Sequence, residues 1–351
     1  MELEFKPDIA ETQARWTAFW KGEHLERPLL SIVLPKPGVE PIEKPAYTAG
    51  ADGDFEPVID QLLAWAATHE FLGEAIPFFY LEFCPDHFSS LLGGDIQFLP
   101  NSSGTSWLVP FVDDWDAAEI KFQRDSFWWQ RTAAFARALR ARCDGKLLIA
   151  APTLVAGLDC LAAIRGTQEL MLDMALRPDK IKTALQAVNA AHTEILDALS
   201  VELGYDEFGS INRHGMYCRD KISVPQCDCS TMISPRMFQE FQVPCLVHEM
   251  QNLDAVEYHL DGPGALKHLP ALCEIDEIDV IQWVPGSGEA EKKDWTELYQ
   301  EIDTRGKGQI LWVRDHDQIR HIWDEFQSRK LFFVTSASSV KEAEDLIRSF
   351  K

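Results

Sequence analysis

The chain has 351 residues, which is enough for one large α/β domain or two medium-sized ones. Its hydrophobic content of 46% and its charged content of 25% are typical of a globular protein in water. The formal net charge of −23 at pH 7 would repel nucleic acid and anionic membranes, so we expect neither as a partner.

Three features bear on the compartment of the protein. The first ten residues are rich in charged side chains and contain no apolar core, so no secretory signal is expected. No run of about 18 apolar residues occurs, so no membrane span is expected. The eight cysteines are scattered without the spacing of a disulfide scaffold, which favours reduced thiols and a cytoplasmic location.

Short apolar runs alternate with helical patterns along the chain, as is typical of strands that are buried on both faces of a parallel sheet. In chain order, the predicted strands are 28–34, 75–81, 147–152, 255–260, 279–284, 309–313 and 331–335. The predicted helices are 126–142, 168–175, 178–199, 234–251, 263–272 and 339–350.

The strand-then-helix order of the second half favours either a parallel barrel or a doubly wound sheet. No G-x-G-x-x-G sequence follows any predicted strand, so the dinucleotide-binding fingerprint of the doubly wound fold is missing. Polar residues also follow several different strands, which favours the barrel. We therefore predict one domain over residues 1–351, an α/β fold of the (β/α)8 TIM-barrel type with an N-terminal helical and loop extension.

The end of the predicted strand 255–260 carries the pattern Tyr-His-Leu-Asp-Gly-Pro-Gly-Ala. Because side chains alternate along a strand, His259 and Asp261 share one face. Barrel enzymes keep their chemistry at the carboxyl ends of strands, so His259 and Asp261 are predicted to be catalytic. The alternative is an ordinary buried histidine followed by an aspartate that forms a turn.

Asp228 lies between Cys227 and Cys229 and is the third catalytic candidate. It could act as a base, anchor a substrate or belong to a metal shell. A Cys-x-Cys pair alone is a weak metal signal, because alternate residues of a strand face one way in any case.

Further polar and aromatic candidates follow other strands. Asp159 faces the pocket or caps a helix, Gln282 is a candidate for substrate binding, and Trp283 forms a pocket wall or fills the core. In so acidic a chain Arg213 is a natural holder of an anion, although a solvated loop is the alternative. His87 is isolated in the sequence.

Several of these patterns occur together in one family, and the chain resembles the uroporphyrinogen decarboxylase-like superfamily. That superfamily includes porphyrinogen decarboxylases and corrinoid-dependent methyltransferases built on one (β/α)8 barrel. The resemblance covers nearly all of the chain and points to an uncharacterised branch. It depends mainly on Gln226-Cys227-Asp228, Ile233-Ser234-Pro235, residues 258–265 and residues 281–286. Weaker similarities occur upstream, in Gly157-Leu158-Asp159 and Thr105-Ser106-Trp107.

The resemblance implies a zinc site at the barrel mouth. Zinc-dependent methyltransferases of the superfamily use a strand-end His-x-Cys-Gly and a later cysteine. Here the first pattern reads His259-x-Asp261-Gly262, and Thr335-Ser336 stand where the later cysteine is expected. Because oxygen ligands are allowed, His259 and Asp261 would still hold zinc, with Cys227 as a further candidate ligand.

The implied reaction moves a methyl group from a small O-, N- or S-methyl donor to a corrinoid. The chain has no D-x-H-x-x-G sequence, so the corrinoid would be carried by a partner protein. Trp107, Tyr217 and Trp283 would line the pocket of the donor. The sequence leaves the oligomeric state open, although barrels of this family often pair as homodimers.

Two alternatives remain open. The chain could be a decarboxylase of a porphyrinogen or another small carboxylate, but it lacks the N-terminal Arg-Gln-Ala-Gly-Arg sequence of the true uroporphyrinogen decarboxylases. It could also be a barrel without catalytic activity that binds a small ligand. The clustering of imidazole with carboxylates at strand ends argues against this second alternative.

Overall fold

The computed structural model describes residues 1–98, 106–288 and 290–350 of the chain. The strands are β1 (Leu29–Pro35), β2 (His69–Gly73), β3 (Phe78–Tyr80), β4 (Ile96–Phe98), β5 (Ser106–Leu108), β6 (Leu148–Ala150), β7 (Ser210–Ile211), β8 (Tyr217–Cys218), β9 (Ile222–Ser223), β10 (Ala255–Asp261), β11 (Val280–Val284), β12 (Gly308–Trp312) and β13 (Leu331–Thr335). The helices are α1 (Ile9–Trp20), α2 (Phe55–Ala67), α3 (His87–Ser90), α4 (Phe127–Cys143), α5 (Gly157–Arg165), α6 (Thr167–Leu176), α7 (Pro178–Leu203), α8 (Tyr205–Phe208), α9 (Pro235–Met237), α10 (Val243–Met250), α11 (Leu269–Cys273), α12 (Thr296–Thr304), α13 (His316–Glu325) and α14 (Val340–Arg348).

A mostly parallel sheet of seven strands forms the centre of the fold, in the order β2-β1-β13-β12-β11-β10-β9. The strands from β9 to β13 and β1 run parallel, and β2 pairs antiparallel with β1 at one edge. A separate parallel pair joins β3 to β6. The predicted α/β class is confirmed. The described strands form one seven-stranded sheet and three two-stranded ones rather than a single ring, so the closed TIM barrel is not confirmed.

The central strands form where the sequence is continuously apolar. Leu331, Phe332 and Phe333 of β13 are fully buried, because helices and loops cover both faces of the sheet. The amphipathic helix α1 packs on this side, and the ring of Trp16 meets Phe332 edge-on at a centroid distance of 4.9 Å. Packing of this kind fixes the first helix of the chain against its last strand.

The carboxyl ends of the central strands meet at one edge of the sheet, as parallel pairing requires. The register of β10 with β11 places His259 beside Gln282. The segment after β9 joins the same edge, because the His259 amide donates to the carbonyl of Pro225 at 3.0 Å and Gln226 bridges to His259. This pairing brings residues 225–228 alongside the end of β10.

The predicted helix 234–251 is interrupted by a π-helical turn at Phe238–Gln242, between α9 and α10. Pro244 lies in the first turn of α10 and has no amide hydrogen for the regular helical ladder, so the backbone widens before it.

All eight cysteines are unpaired in the structure, as the sequence predicted. Among the described residues, no helix combines the length and the apolar character that a membrane crossing requires.

Candidate functional site

Asp228, His259 and Asp261 each offer one ligand atom, and these three atoms lie within 4.8 Å of one another. His259 and Asp261 share one face of β10, and Asp228 begins the 3-10 turn Asp228–Met232 that follows the segment paired with β10. Asp228 is exposed, and the other two side chains are half-buried. The three predicted catalytic residues therefore meet at one point, where they could hold a metal ion.

The imidazole of His259 is arranged as a neutral ligand. Burial lowers the pKa of His259 to about 4, and the nearby charge of Arg213 acts in the same direction, so the ring is neutral at pH 7. Its Nδ1 is hydrogen-bonded to Oε1 of Gln282 on the neighbouring strand. Since an amide oxygen only accepts, Nδ1 carries the proton and Nε2 keeps a free lone pair for a metal.

The two carboxylates of the group repel each other. Although part of the Asp228 side chain is exposed, the surrounding protein desolvates its carboxyl group, and this desolvation and the charges of Asp159 and Asp261 raise its pKa to about 7. Burial also raises the pKa of Asp261. A divalent cation between them would relieve this repulsion, and two oxygens with one imidazole nitrogen form an accepted donor set for zinc that leaves a coordination position open. The residues present thus fit the predicted metal.

Asp159 holds the turn that carries Asp228. Its carboxylate accepts hydrogen bonds from the backbone amides of Asp228 at 2.7 Å and Cys229 at 2.8 Å. Asp159 therefore caps the 3-10 turn of another segment rather than its own helix, and it also lines the cavity beside Asp228. Burial raises the pKa of this carboxyl.

Arg213 is connected to the acidic group through Gln226. Its Nη2 donates to Oε1 of Gln226 at 3.2 Å, and Nε2 of Gln226 donates to Oδ2 of Asp228 at 3.3 Å. Its Nη1 donates to Oγ1 of Thr153 at 3.5 Å. The Nε of Arg213 is buried and has no partner in the described part of the chain. The guanidinium thus balances part of the carboxylate charge and keeps one N–H for a ligand.

A cavity of about 550 Å³ opens beside Asp228. Asp159 and Gln226 form part of its polar wall. Its apolar wall includes Trp107, Pro110, Val155 and Met232. This volume is in the range of small-molecule sites, and Asp228, one of the three candidate metal ligands, lines the cavity.

Two of the predicted pocket residues do not join this group. Tyr217 is fully buried, and its hydroxyl accepts from Nε2 of Gln13 at 2.6 Å and donates to the carbonyl of Phe208 at 3.0 Å. Trp283 is buried against Trp295, with the ring centroids 4.9 Å apart. Since Gln282 points towards His259, alternation along β11 turns its neighbour Trp283 to the other face.

Cys227 also lies outside the group of ligand atoms, in which Asp228 takes part instead. The Cys227 side chain belongs to the buried core, and burial raises the pKa of its thiol well above the usual value. Thr105, which contributes to the resemblance upstream, lies outside the described residues.

Sequence reasoning missed a carboxylate–imidazole pair next to the group. Nδ1 of His214 lies 2.6 Å from Oε1 of Glu257, which is fully buried on β10. The His214 ring lies 6.4 Å from the ring of His259. The alternation that placed His259 and Asp261 on one face also places Glu257 there, so this signal was present in the sequence. No local pattern marks His214.

A second missed cluster lies at the end of β3. The phenol of Tyr80 donates to the carboxylate of Glu82, and the amide of Thr153 donates to the same oxygen at 2.8 Å. Burial raises the pKa of Glu82 to about 7. Glu82 directly follows the predicted strand 75–81. The expectation that functional side chains lie at the carboxyl ends of strands could therefore have found it.

His87 is a core histidine. Its Nδ1 accepts from the amide of Phe83 at 3.1 Å, and its Nε2 donates to the hydroxyl of Thr132 at 2.8 Å. Burial lowers the pKa of His87 to about 3. The folded protein thus keeps this ring neutral, while the unfolded chain protonates it below its ordinary pKa of 6.5.

The stability that His87 contributes is full above its ordinary pKa and falls as the pH is lowered. Between about pH 7 and about pH 5 we expect this single group to remove about 2 kcal/mol of the free energy of unfolding. The measurement is urea denaturation of the wild type and of His87→Gln at both pH values. Carboxyls with raised pKa, such as Glu82, act in the opposite direction in both proteins. On acidification the free energy of unfolding should therefore fall more in the wild type than in His87→Gln. An equal pH dependence of the two proteins would contradict the prediction.

Gln282→Leu is expected to weaken zinc binding by about 10- to 100-fold, because the acceptor that fixes the tautomer of His259 is lost. Titration of the metal-free protein with zinc measures the effect. Gln309→Leu is the matched control, since Gln309 is a buried glutamine of the adjacent strand whose amide donates to the carbonyl of Tyr299 instead. Equal affinities of the two variants would show that Gln282 does not position the ligand.

Comparisons with known proteins bear on the fold. No protein-family model matches the sequence, and no curated protein matches it significantly. The structure is similar to that of a methyltransferase from Methanosarcina mazei, with a TM-score of 0.59 and 12% sequence identity. The likeness covers 97% of this chain and 98% of that chain. At this identity it shows that the two chains share an α/β fold over nearly their whole length.

Proposed function

We propose that the protein is a metal-dependent methyltransferase that moves a methyl group from a small O-, N- or S-methyl donor to a corrinoid on a partner protein. The observation that carries the proposal is the meeting of Asp228, His259 and Asp261 at the strand ends, beside a cavity of small-molecule size. The fold that it shares with a methyltransferase over nearly its whole length supports the reaction class.

Zinc is the metal that we propose, held by Nε2 of His259 and by one oxygen each of Asp228 and Asp261. When bound, it would act as a Lewis acid on the leaving atom of the methyl donor. Gln282 fixes the proton of His259 on Nδ1, so that Nε2 would be free of a proton and able to bind the metal. Asp159 holds the backbone of Asp228, which keeps that carboxylate at the cavity.

The cavity supplies the donor site. Trp107 and Met232 offer apolar surface for a methyl-bearing molecule. The acceptor must reach the same point from outside. Asp228 is exposed, which agrees with an acceptor presented by a second protein.

The proposal is tested with free cob(I)alamin as the acceptor and a panel of methyl ethers, methylamines and methyl thioethers as donors. Zinc-loaded protein is expected to form methylcobalamin from at least one donor, which the change in absorbance reports. Treatment with a chelator should stop the reaction, and added zinc should restore it. Absence of methyl transfer by zinc-loaded protein across the whole panel would contradict the proposal.

Decarboxylation of a small carboxylate is the second candidate, and one observation favours it. The unpartnered N–H of Arg213 lies in a site where the pKa of Asp228 is about 7, a value that suits proton transfer near neutral pH. A decarboxylase of this kind would release CO2 from a small carboxylate in the presence of a chelator. Chelator-sensitive methyl transfer and chelator-insensitive CO2 release therefore distinguish the two candidates.

A further inference from the structure

His214 and Glu257 form a pair that the metal group does not use. Nδ1 of His214 and Oε1 of Glu257 are 2.6 Å apart. The other oxygen of Glu257 accepts from Nδ2 of Asn212 at 2.6 Å. The oxygen of the Asn212 side chain accepts from the backbone amides of His214 and Met216, both at 3.0 Å. One asparagine therefore fixes both the carboxylate and the backbone of the histidine.

Among the described residues no group is hydrogen-bonded to Nε2 of His214, and the ring lies close to the candidate metal ligands. Glu257 is fully buried, while the His214 side chain keeps 16% of its surface exposed. The ring of Trp312 meets His214 edge-on at 5.5 Å, and the ring of His259 lies 6.4 Å away. A carboxylate that accepts from Nδ1 holds the imidazole in one tautomer and orientation, with Nε2 left for proton exchange.

We infer that His214 is the proton donor and acceptor of this site, that Glu257 is its positioning residue, and that the natural methyl donor is one whose leaving atom must gain a proton. Such donors are methyl ethers, methanol and neutral methylamines. This inference rests on the proposed methyl transfer. It narrows the donor class, because a quaternary ammonium or sulfonium donor leaves as a neutral amine or thioether and needs no proton.

The step balances without a further reactant beyond the proposed acceptor. The bond between the methyl carbon and the leaving atom breaks, and its electron pair stays on the leaving atom. The proton on Nε2 of the His214 imidazolium moves to that atom, and the ring becomes neutral. Nδ1 keeps its own proton, which stays hydrogen-bonded to the carboxylate of Glu257. The methyl carbon forms its new bond with the electron pair of the nucleophilic acceptor.

The pair is tested first without any donor. In protein labelled with 15N-histidine, the spectrum of neutral His214, assigned by its absence in His214→Gln, should show the proton on Nδ1 and none on Nε2. Glu257→Gln should abolish this single tautomer, while the wild-type spectrum alone decides the case if that variant does not fold. A proton on Nε2 of wild-type His214 would overturn the inference.

The donor class is tested with the zinc-loaded protein, free cob(I)alamin, a methyl ether and a quaternary ammonium donor. His214→Gln should lose about 100-fold or more of the rate with the ether, the usual loss when a general acid is removed, and should keep its rate with the ammonium donor. Zinc binding should be unchanged. Equal losses with both donors, or no loss with the ether, would overturn the inference. If the wild type transfers no methyl group, the proposed function fails, and the tautomer still decides the role of the pair.

Discussion

His259→Ala is expected to remove zinc from the protein, so that the metal content falls from about one equivalent to a trace. The imidazole is the only nitrogen among the three ligand atoms that lie within 4.8 Å of one another. Without it, two carboxylates remain, which suit hard cations such as magnesium better than zinc. Metal analysis of the purified variant measures the loss, and chelator-sensitive methyl transfer should vanish with it.

The control is His321→Ala, which removes an exposed imidazole from α13 and should leave the zinc content unchanged. Both variants should keep the same thermal unfolding temperature in the metal-free state, because His259 is only half-buried and its loss opens little core. Zinc that stays at one equivalent in His259→Ala would show that the Asp228, His259 and Asp261 group is not the metal site. In that case Asp228 and Asp261 would be candidates for acid–base catalysis without a metal.

The sequence predicted the buried strands well, because a short, continuous apolar run is typical of a strand that is covered on both faces. The predicted strand 331–335 coincides with β13, and the predicted strand 255–260 differs from β10 by one residue. Several helices were missed, and α13 is one for which a low number of apolar residues is the reason. In α13 only Ile319, Ile322 and Trp323 are buried, so the helical period is carried by three residues among charged ones.

The site was predictable only where it depends on local geometry. Alternation along β10 placed His259 and Asp261 on one face. Their position at the carboxyl end of a strand predicted that they are catalytic. The approach of Asp228 depends on the bridge between Gln226 and His259, a contact between segments more than thirty residues apart that no local pattern specifies. The same reason explains His214, which reaches Glu257 only through the fold.

Aromatic residues were the least predictable members of the site. Trp107, Tyr217 and Trp283 were all assigned to the donor pocket, yet only Trp107 lines the cavity. A large ring is equally suited to a pocket wall and to the core, and the choice is made by which face of the sheet the strand turns inward. For Tyr217, the hydrogen bond from Gln13 ties the ring to α1 instead.

Glu74→Ala is expected to lower the free energy of unfolding by about 3 to 5 kcal/mol, the usual cost of leaving a buried charge without its partner. Glu74 is 1% exposed, and its carboxylate accepts two hydrogen bonds from Arg27, at 2.8 and 2.9 Å. Arg15 and the amide of Leu30 donate to the same carboxylate at 2.7 and 2.8 Å. Burial would raise the pKa of Glu74, but the hydrogen bonds and charge of Arg27 lower it below its usual value.

The expected loss comes from the arginine that remains rather than from the ion pair as such. Arg27 is 7% exposed and would be left buried with its charge unbalanced. Replacing both partners, as in Glu74→Ala with Arg27→Met, should therefore recover much of the loss, and thermal unfolding of the single and double variants measures the coupling. A double variant as unstable as the sum of its single changes would show that the two side chains act independently. Since Glu74 also joins α1 and β1 to the end of β2, that result would place the stability of this junction in its apolar packing instead.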